Sequence, residues 1–331
     1  MSTRPLVVVV GADGFVGGGL AQALNAKKVV YGPVHNGDVH ISRAEPLIRS
    51  ADVVVNTSGF RVRRGLTYAD YQRCHQGATA AFAPWVRKGA LFIHMSSAHV
   101  LGKSTDRVLG NDATPNPTTY PSATYALAKY EADLFLEKIA AEGAFQLVFL
   151  RPTILYARPG DTSLPDNLIK MAQRGVLLRL YPRSARHHLC HLTLLMEVAR
   201  RTVEQSHLLP LVNRFVVADP YTVTSRELEE LIRRHLTKKA TTIPVPSPLM
   251  SALLRHSFQS SNPKLDIRTW GDIFGVFHLD TVYDPSETFR LLGIDPSQYA
   301  KERTLLPFFQ QSFASARSLA AVETPEFTRH A

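Results

Sequence analysis

Cysteine is nearly absent: Cys74 and Cys190 are the only two in 331 residues. Two thiols cannot build the disulfide framework of a small secreted domain, so a reducing compartment fits. No stretch approaches the roughly 20 apolar residues needed to cross a bilayer. The N-terminal "PLVVVV" is too short for a signal-peptide core and runs straight into glycines. These absences point to a cytoplasmic location and to no membrane partner. No internal repeat appears, and the 21 prolines and 19 glycines are too dispersed to form a low-complexity linker. Acidic residues are the minority charge, 28 against 38 Lys and Arg, which leaves a formal +10. The basic residues are scattered, densest in "RVRRG" (Arg61, Arg63, Arg64), and form no recognisable nucleic-acid motif. Nucleic acid is therefore not an expected partner. A solvated surface, or local attraction for an anionic small molecule, accounts for the charge.

What is present is a soluble globular balance, 45% hydrophobic and 20% charged, long enough for one large domain or two sharing a core. Leu6 to Val10 are apolar without alternation, which suits a strand buried on both faces of a parallel sheet. Gly11, Gly14 and Gly17 follow in the spacing G-x-x-G-x-x-G, and a helical pattern follows them. Glycines at such a turn let a pyrophosphate approach the backbone amides, and the helix points its N-terminus at the anion. Three glycines alone are a weak signal; their place between strand and helix strengthens it.

The second strand, read as "KVVYGPV", ends at His35 and Asn36, which would face the adenosine ribose. An acid there would favour NAD. None is present, which tilts the expectation toward NADP. Asp38 follows in "GDV", read as the third strand. "ADVVVNTSG" ends a further strand in Thr57, Ser58 and Gly59, small residues that leave room for a cofactor. "YADYQRCHQGATAAFAPWV" reads as one long helix, "ALFIHMSSAHVLG" as a strand ending in Ser96 and Ser97, and "FQLVFLRP" as a sixth strand. Strand and helix alternate, so the fold class is α/β, a Rossmann-type doubly wound parallel sheet. Ligands lie beyond the carboxyl ends of such strands.

Between those strands lies "YPSATYALAKYEADLF". Tyr125 and Lys129 are four apart and share a helix face. Alone, such a pair is ordinary on a surface helix. Tyr120 and Tyr130 have no lysine four residues on. A free phenol titrates near 10 and is a poor base; an adjacent ammonium lowers that value. Tyr125 would then pass a proton to or from a substrate oxygen, Ser97 would hold the same oxygen, and Lys129 would also bind the nicotinamide ribose.

Together these pieces resemble the extended short-chain dehydrogenase/reductase family, which includes nucleotide-sugar epimerases and 3β-hydroxysteroid dehydrogenase-like enzymes. "GADGFVG" resembles its cofactor loop, with Asp13, Phe15 and Val16 beside the glycines. "GDV" resembles its adenine-contact segment, through Asp38 and Val39. "MSSAHVLG" resembles the strand whose last serine, here Ser97, is catalytic, and "YALAK" supplies Tyr125 and Lys129. "RPTILYARPGD" resembles the cofactor-lining turn, with Pro152 and Ile154. The resemblance implies a Rossmann domain of residues 1–156 plus about 191–218. It implies a smaller, mostly helical substrate lobe of about 157–190 plus 219–315; "VETPEFTRHA" lacks periodicity, so 316–331 reads as a flexible tail. A homodimer through the helices around Cys74 and Tyr125 is implied as well.

The chain departs from the family pattern in places. Cys74 stands where an asparagine is usual, and Leu101 replaces a tyrosine. "CHLTLL" keeps His191 but lacks the usual aspartate, and the diphosphate-gripping arginine would fall near His187, beside Arg186. No Asp-Glu pair follows Ser97, which disfavours dehydration. His99, Arg63, Asn167 and Arg186 are the candidate substrate contacts, with Arg179 and Arg183 able to add charge. His94 reads as a core histidine. "RHHLCH" invites a metal, but adjacent strand residues point to opposite faces, so none is expected. "IPVPSPLMSALLRHSF" reads as a proline-started helix. Three functions stay open. One is an oxidoreductase or epimerase acting at a hydroxyl or ketone carbon of a nucleotide-activated sugar. The second is an NADPH-dependent carbonyl reductase or hydroxy dehydrogenase for a non-nucleotide metabolite. The third is a non-catalytic dinucleotide binder.

Overall fold

The computed structural model describes residues 4–35, 37–62, 66–102, 108–119, 123–161, 163–181, 184–235, 240–246 and 280–322. The first half runs β1 (Val7–Val10), α1 (Phe15–Ala23), β2 (Lys27–Val30), β3 (Val39–His40), α2 (Glu45–Ser50), β4 (Val53–Asn56), α3 (Tyr68–Gln72), α4 (Ala78–Phe82), β5 (Leu91–Met95), α5 (Ala123–Ala141) and β6 (Gln146–Pro152). The remainder runs β7 (Ile154–Tyr156), α6 (Leu164–Gln173), β8 (Val176–Tyr181), β9 (Arg186–His191), α7 (Leu192–Glu204), β10 (Val212–Val217), β11 (Thr222–Thr224), α8 (Ser225–His235), β12 (Thr241–Pro246), α9 (Ser286–Leu292) and α10 (Leu305–Val322).

Seven strands form one parallel sheet in the order β10-β6-β5-β4-β1-β2-β3. The order reverses between β1 and β4, which is where a doubly wound sheet opens its ligand crevice. The apolar run of β1 explains the two-faced burial. Side chains alternate along a strand, so Val7 and Val9 enter one apolar layer and Val8 and Val10 the other. β6 divides in the same way: Val148 and Leu150 join the first layer, Leu147 and Phe149 the second. Each fully buried side chain of this size contributes about 1.5–3 kcal/mol.

A third apolar cluster gathers Tyr156, Leu168, Leu189, Val223, Ile232, Phe308 and Phe309, drawn from α6, α8, α10 and the short strands. Two small sheets accompany it, β11-β9-β7 and the parallel pair β12-β8. This part of the chain thus sets α6, α8 and α10 beside two small sheets.

Four local expectations are corrected. β2 stops at Val30, so His35 lies exposed in the turn beyond it, and Asn36 lies outside the described residues. Asp38 precedes β3 rather than joining it, its amide donating to the His35 carbonyl at 2.9 Å. The long helix around Cys74 is broken by a π turn at Arg73–Gly77 between α3 and α4. Ile243 to Pro246 belong to β12 rather than to a proline-started helix. The rest of the proline-started helix, and residues 323–331, lie outside the described residues.

Candidate active site

At the carboxyl edge of the sheet, β1 turns through Gly11 at φ +83°. The Gly11 and Ala12 amides both donate to the Val29 carbonyl, at 2.9 and 3.1 Å. Gly17 admits no side chain: a Cβ there would lie 2.2 Å from the Gly11 carbonyl oxygen and 2.5 Å from Thr57 Oγ1. Thr57 braces the turn from β4, its hydroxyl donating to the Val10 carbonyl at 2.8 Å. α1 starts at Gly14 with no side-chain cap and no acid in its first turn. Its leading amides, from Phe15 onward, are thus left to an outside acceptor. A pyrophosphate fits this cradle.

Next to it, the Asp13 carboxylate accepts from the Gly32 amide at 3.1 Å, just past the end of β2. The Tyr31 hydroxyl reaches across to hydrogen-bond Ser58. Asp38 and Val39 line a hollow of about 500 Å³ with Val34, His40, Ser42 and Arg43.

Across β4 the cleft meets β5 and α5. Ser97 caps a short 3-10 turn, its Oγ accepting from the His99 amide at 3.2 Å, and it hydrogen-bonds the Tyr125 hydroxyl. Tyr125 is partly buried with its hydroxyl end enclosed. Three rings meet its ring edge-on: Tyr71 at 5.6 Å, His75 at 5.5 Å and His99 at 5.8 Å. The π turn brings His75 here, against Gly59, where a Cβ would lie 2.0 Å from Nδ1. Burial drives the His75 pKa down to about 2, so this imidazole is neutral. One helical turn past Tyr125, Lys129 is buried and its Nζ donates to the Met95 carbonyl at 2.7 Å.

One electrostatic expectation is overturned here. The ammonium was to pull the phenol pKa down, but burial pushes Tyr125 above its ordinary value and the Ser97 bond offsets only part of this. The ammonium is directed at Met95 instead, and burial pushes its own pKa down to about 8. At neutral pH the phenol therefore keeps its proton.

A model of the NAD dependent epimerase/dehydratase family matches residues 7–191, more than half of the chain. The chain belongs to this family. The UDP-glucose 4-epimerase of Vibrio cholerae is 23% identical over 262 residues, 72% of this chain and 78% of that protein. Among solved structures, the UDP-glucuronic acid 4-epimerase from Bacillus cereus in complex with UDP-glucuronic acid and NAD superposes with a TM-score of 0.70 at 16% identity. It spans 95% of this chain and 99% of that one. MoeE5 in complex with UDP-glucose and NAD gives 0.69 at 16% identity over the same shares. These likenesses establish the Rossmann-like fold.

Within the family frame, Gly11 to Gly17, Thr57 to Gly59, Ser97, Tyr125, Lys129 and Pro152 all fall at one edge of the sheet, with Ile154 opening β7. The expected substrate contacts fare differently. His99 packs on Tyr125. Asn167 is exposed on α6. Arg186 pairs with Asp280, and Arg179 makes two 2.7 Å bonds to Glu229. Arg61 donates to the Asp161 carbonyl, while Arg63, Arg64 and Arg183 lie outside the described residues. His187 bonds Ser225, and His188 accepts from the Tyr283 amide, so the histidine run serves the packing of β9.

Sequence reasoning passed over Tyr31, Tyr71, His75 and Asp133, and gave Arg151 no role beyond its place at a strand end. Two left signals. Asp133 is four residues past Lys129 on the same face, and Arg151 is a charge inside an otherwise apolar buried strand.

Proposed function

We propose that the protein oxidises and re-reduces a hydroxyl-bearing carbon of a nucleotide-activated sugar, and so epimerises it. A bound nicotinamide dinucleotide supplies the acceptor and donor of hydride. Ser97 and Tyr125 hold the substrate oxygen, and Tyr125 hands over its proton when that oxygen is a ketone and recovers it when it is a hydroxyl. A phenol that stays protonated at neutral pH is ready for the donating direction. Lys129, fixed by Met95, binds the nicotinamide ribose. Gly11, Gly14 and Gly17, with the amides of Phe15 and Val16, take the pyrophosphate; Asp38, Val39, Ser58, Gly59, Pro152 and Ile154 line the remainder. Residues 1–156 and 191–218 would carry the cofactor. The cluster around Phe308 would shape the substrate lobe, residues 157–190 and 219–315. The observation that carries the reading is the Ser97–Tyr125 hydrogen bond, one helical turn from a buried lysine and beside a glycine turn that excludes side chains.

Of the two dinucleotides we favour NAD. The lean to NADP rested on a missing acid at the end of β2, yet the Asp13 carboxylate occupies that end. A carboxylate accepts from a ribose hydroxyl and repels a 2′-phosphate. The family's dimer would bury α3, α4 and α5, and Leu134 exposed on α5 favours it; sedimentation would decide.

A second reading has an observation of its own. Arg179 and Arg186 are taken by Glu229 and Asp280, which favours a substrate without a diphosphate and hence a carbonyl reductase. The test is spectral. With UDP-glucose, an epimerase yields UDP-galactose while its nicotinamide absorbance returns to the starting value. A reductase instead consumes NADH in step with product. Tyr125→Phe should lose about 10²- to 10⁴-fold in kcat and keep its NADH affinity. Undiminished turnover in that variant would remove the assignment.

A further inference from the structure

Beneath the site lies a group of buried ions that the chemistry above does not use. α5 places Asp133 one turn beyond Lys129, on the face that carries Tyr125. Asp133 is fully buried. Its Oδ2 accepts from Ser96 Oγ at 2.8 Å and from Arg151 Nη2 at 3.3 Å, and His94 Nε2 lies 3.7 Å from Oδ1. Lys129 holds the Met95 carbonyl and Asp133 the Ser96 hydroxyl, adjacent residues at the end of β5. Ser97 is the next residue.

We propose that Asp133 is a positioning residue: its carboxylate keeps Lys129 charged and fixes the strand end that presents Ser97. This rests on the roles given above to Ser97, Tyr125 and Lys129.

The arrangement is costly to the fold. Arg151 Nε and Nη1 have no hydrogen-bond partner among the described residues, and the guanidinium lies 5.8 Å from the Phe149 ring centroid. Apolar side chains of similar volume often serve a core as well as, or better than, such a pair. A cluster placed elsewhere would offer only that cost; here it abuts the lysine and the serine.

The groups facing Asp133 come from every neighbouring element. They are Lys129 on α5, His94 on β5, Arg151 on β6 and Tyr125 at the cleft. Cys74 on the π turn acts on Lys129, and Glu137 and Arg214 act on Arg151. Burial lowers Lys129 to about 8, and the first group opposing this is Asp133. Burial raises Asp133 to about 6, with Arg151 the first group opposing it, and His94 is held neutral. Both charges therefore coexist between about pH 6 and 8. Removing the carboxylate takes away the largest support of the ammonium, and Lys129 must then lose its proton at lower pH.

The test reads Lys129 directly, by ¹³Cε NMR titration of the lysine-labelled full chain, with Lys129→Arg for assignment. In the wild type, Lys129 should titrate near pH 8 and show a second, smaller inflection near pH 6 as Asp133 protonates. Asp133→Asn should lower the main midpoint by about one unit or more, and Asp133→Glu should restore much of it. Equal midpoints in the wild type and Asp133→Asn would overturn the proposal. So would a wild-type curve without the inflection near pH 6, a measurement that needs no variant to fold. Failure of the enzymatic reading looks different: it would appear as full turnover in Tyr125→Phe, whatever Lys129 does.

Discussion

The two ends of the cleft are built from different materials. The glycine end is made of backbone: a carbonyl that would meet any Cβ at Gly17, a threonine brace, and helix amides without a cap. The α5 end is made of side chains with perturbed charges: a protonated phenol, a lysine lowered to about 8 and a carboxylate raised to about 6. A backbone site depends on where atoms are absent, so it fails when an atom is added. A side-chain site depends on which charges are present, so it fails when one is removed. The two ends should therefore respond to mutation in separable ways.

The largest effect that sharpens this contrast is expected from Gly17→Ala. The added Cβ must displace the Gly11 carbonyl or the Thr57 hydroxyl. NADH affinity, read by nicotinamide fluorescence, should fall by about 100-fold, and overpacking should cost about 1–3 kcal/mol in urea. The opposite pattern is expected of Tyr125→Phe, which keeps binding and loses turnover. If both variants lost binding and turnover alike, the two ends would be one mechanical unit and the contrast would dissolve.

Asp13→Asn should act more mildly, because it changes charge and leaves the turn in place. Asp13 is exposed, and among the described residues it is the charge that acts on the Tyr31 phenol. The ratio of NADH to NADPH affinity should fall about tenfold, the scale of one charge against a phosphate at several ångströms in a wet site. A wild-type ratio already favouring NADPH would point to Arg43 in the neighbouring hollow as the residue in command.

The difference in material also explains what could be read from the chain. Glycine spacing after an all-valine strand is a local pattern, and so is a tyrosine four residues before a lysine; both lie where expected. The end of β2 was misplaced because "YGPV" continues the apolar look of the strand, while Gly32 and Pro33 already belong to the turn. "IPVP" suggested a helix start, yet proline is also tolerated at the edge of a sheet, and among the described residues β12 pairs on one side alone, with β8. The lowered pKa of Lys129 and the raised one of Tyr125 are set by what surrounds them. Burial is the first cause of both shifts, and neither the packing that imposes it nor the π turn that brings Cys74 near Lys129 is displayed by any short window of sequence.

The mildest perturbation asks whether the π turn belongs to the site or merely lies against it. Thr67 caps α3 in a reciprocal box with Asp70, and α3 leads into the turn that carries Cys74 and His75. Thr67→Ala removes that cap at a cost of about 1 kcal/mol, one helical turn before Tyr71 and without changing a charge in the cleft. If Tyr71 and His75 only pack, kcat should stay within about twofold of wild type while the urea midpoint falls. If they hold the ring of Tyr125 in line with Ser97, loosening α3 should lower kcat more than KM. That loss should recover in Thr67→Ser, which restores the capping hydroxyl without the methyl group.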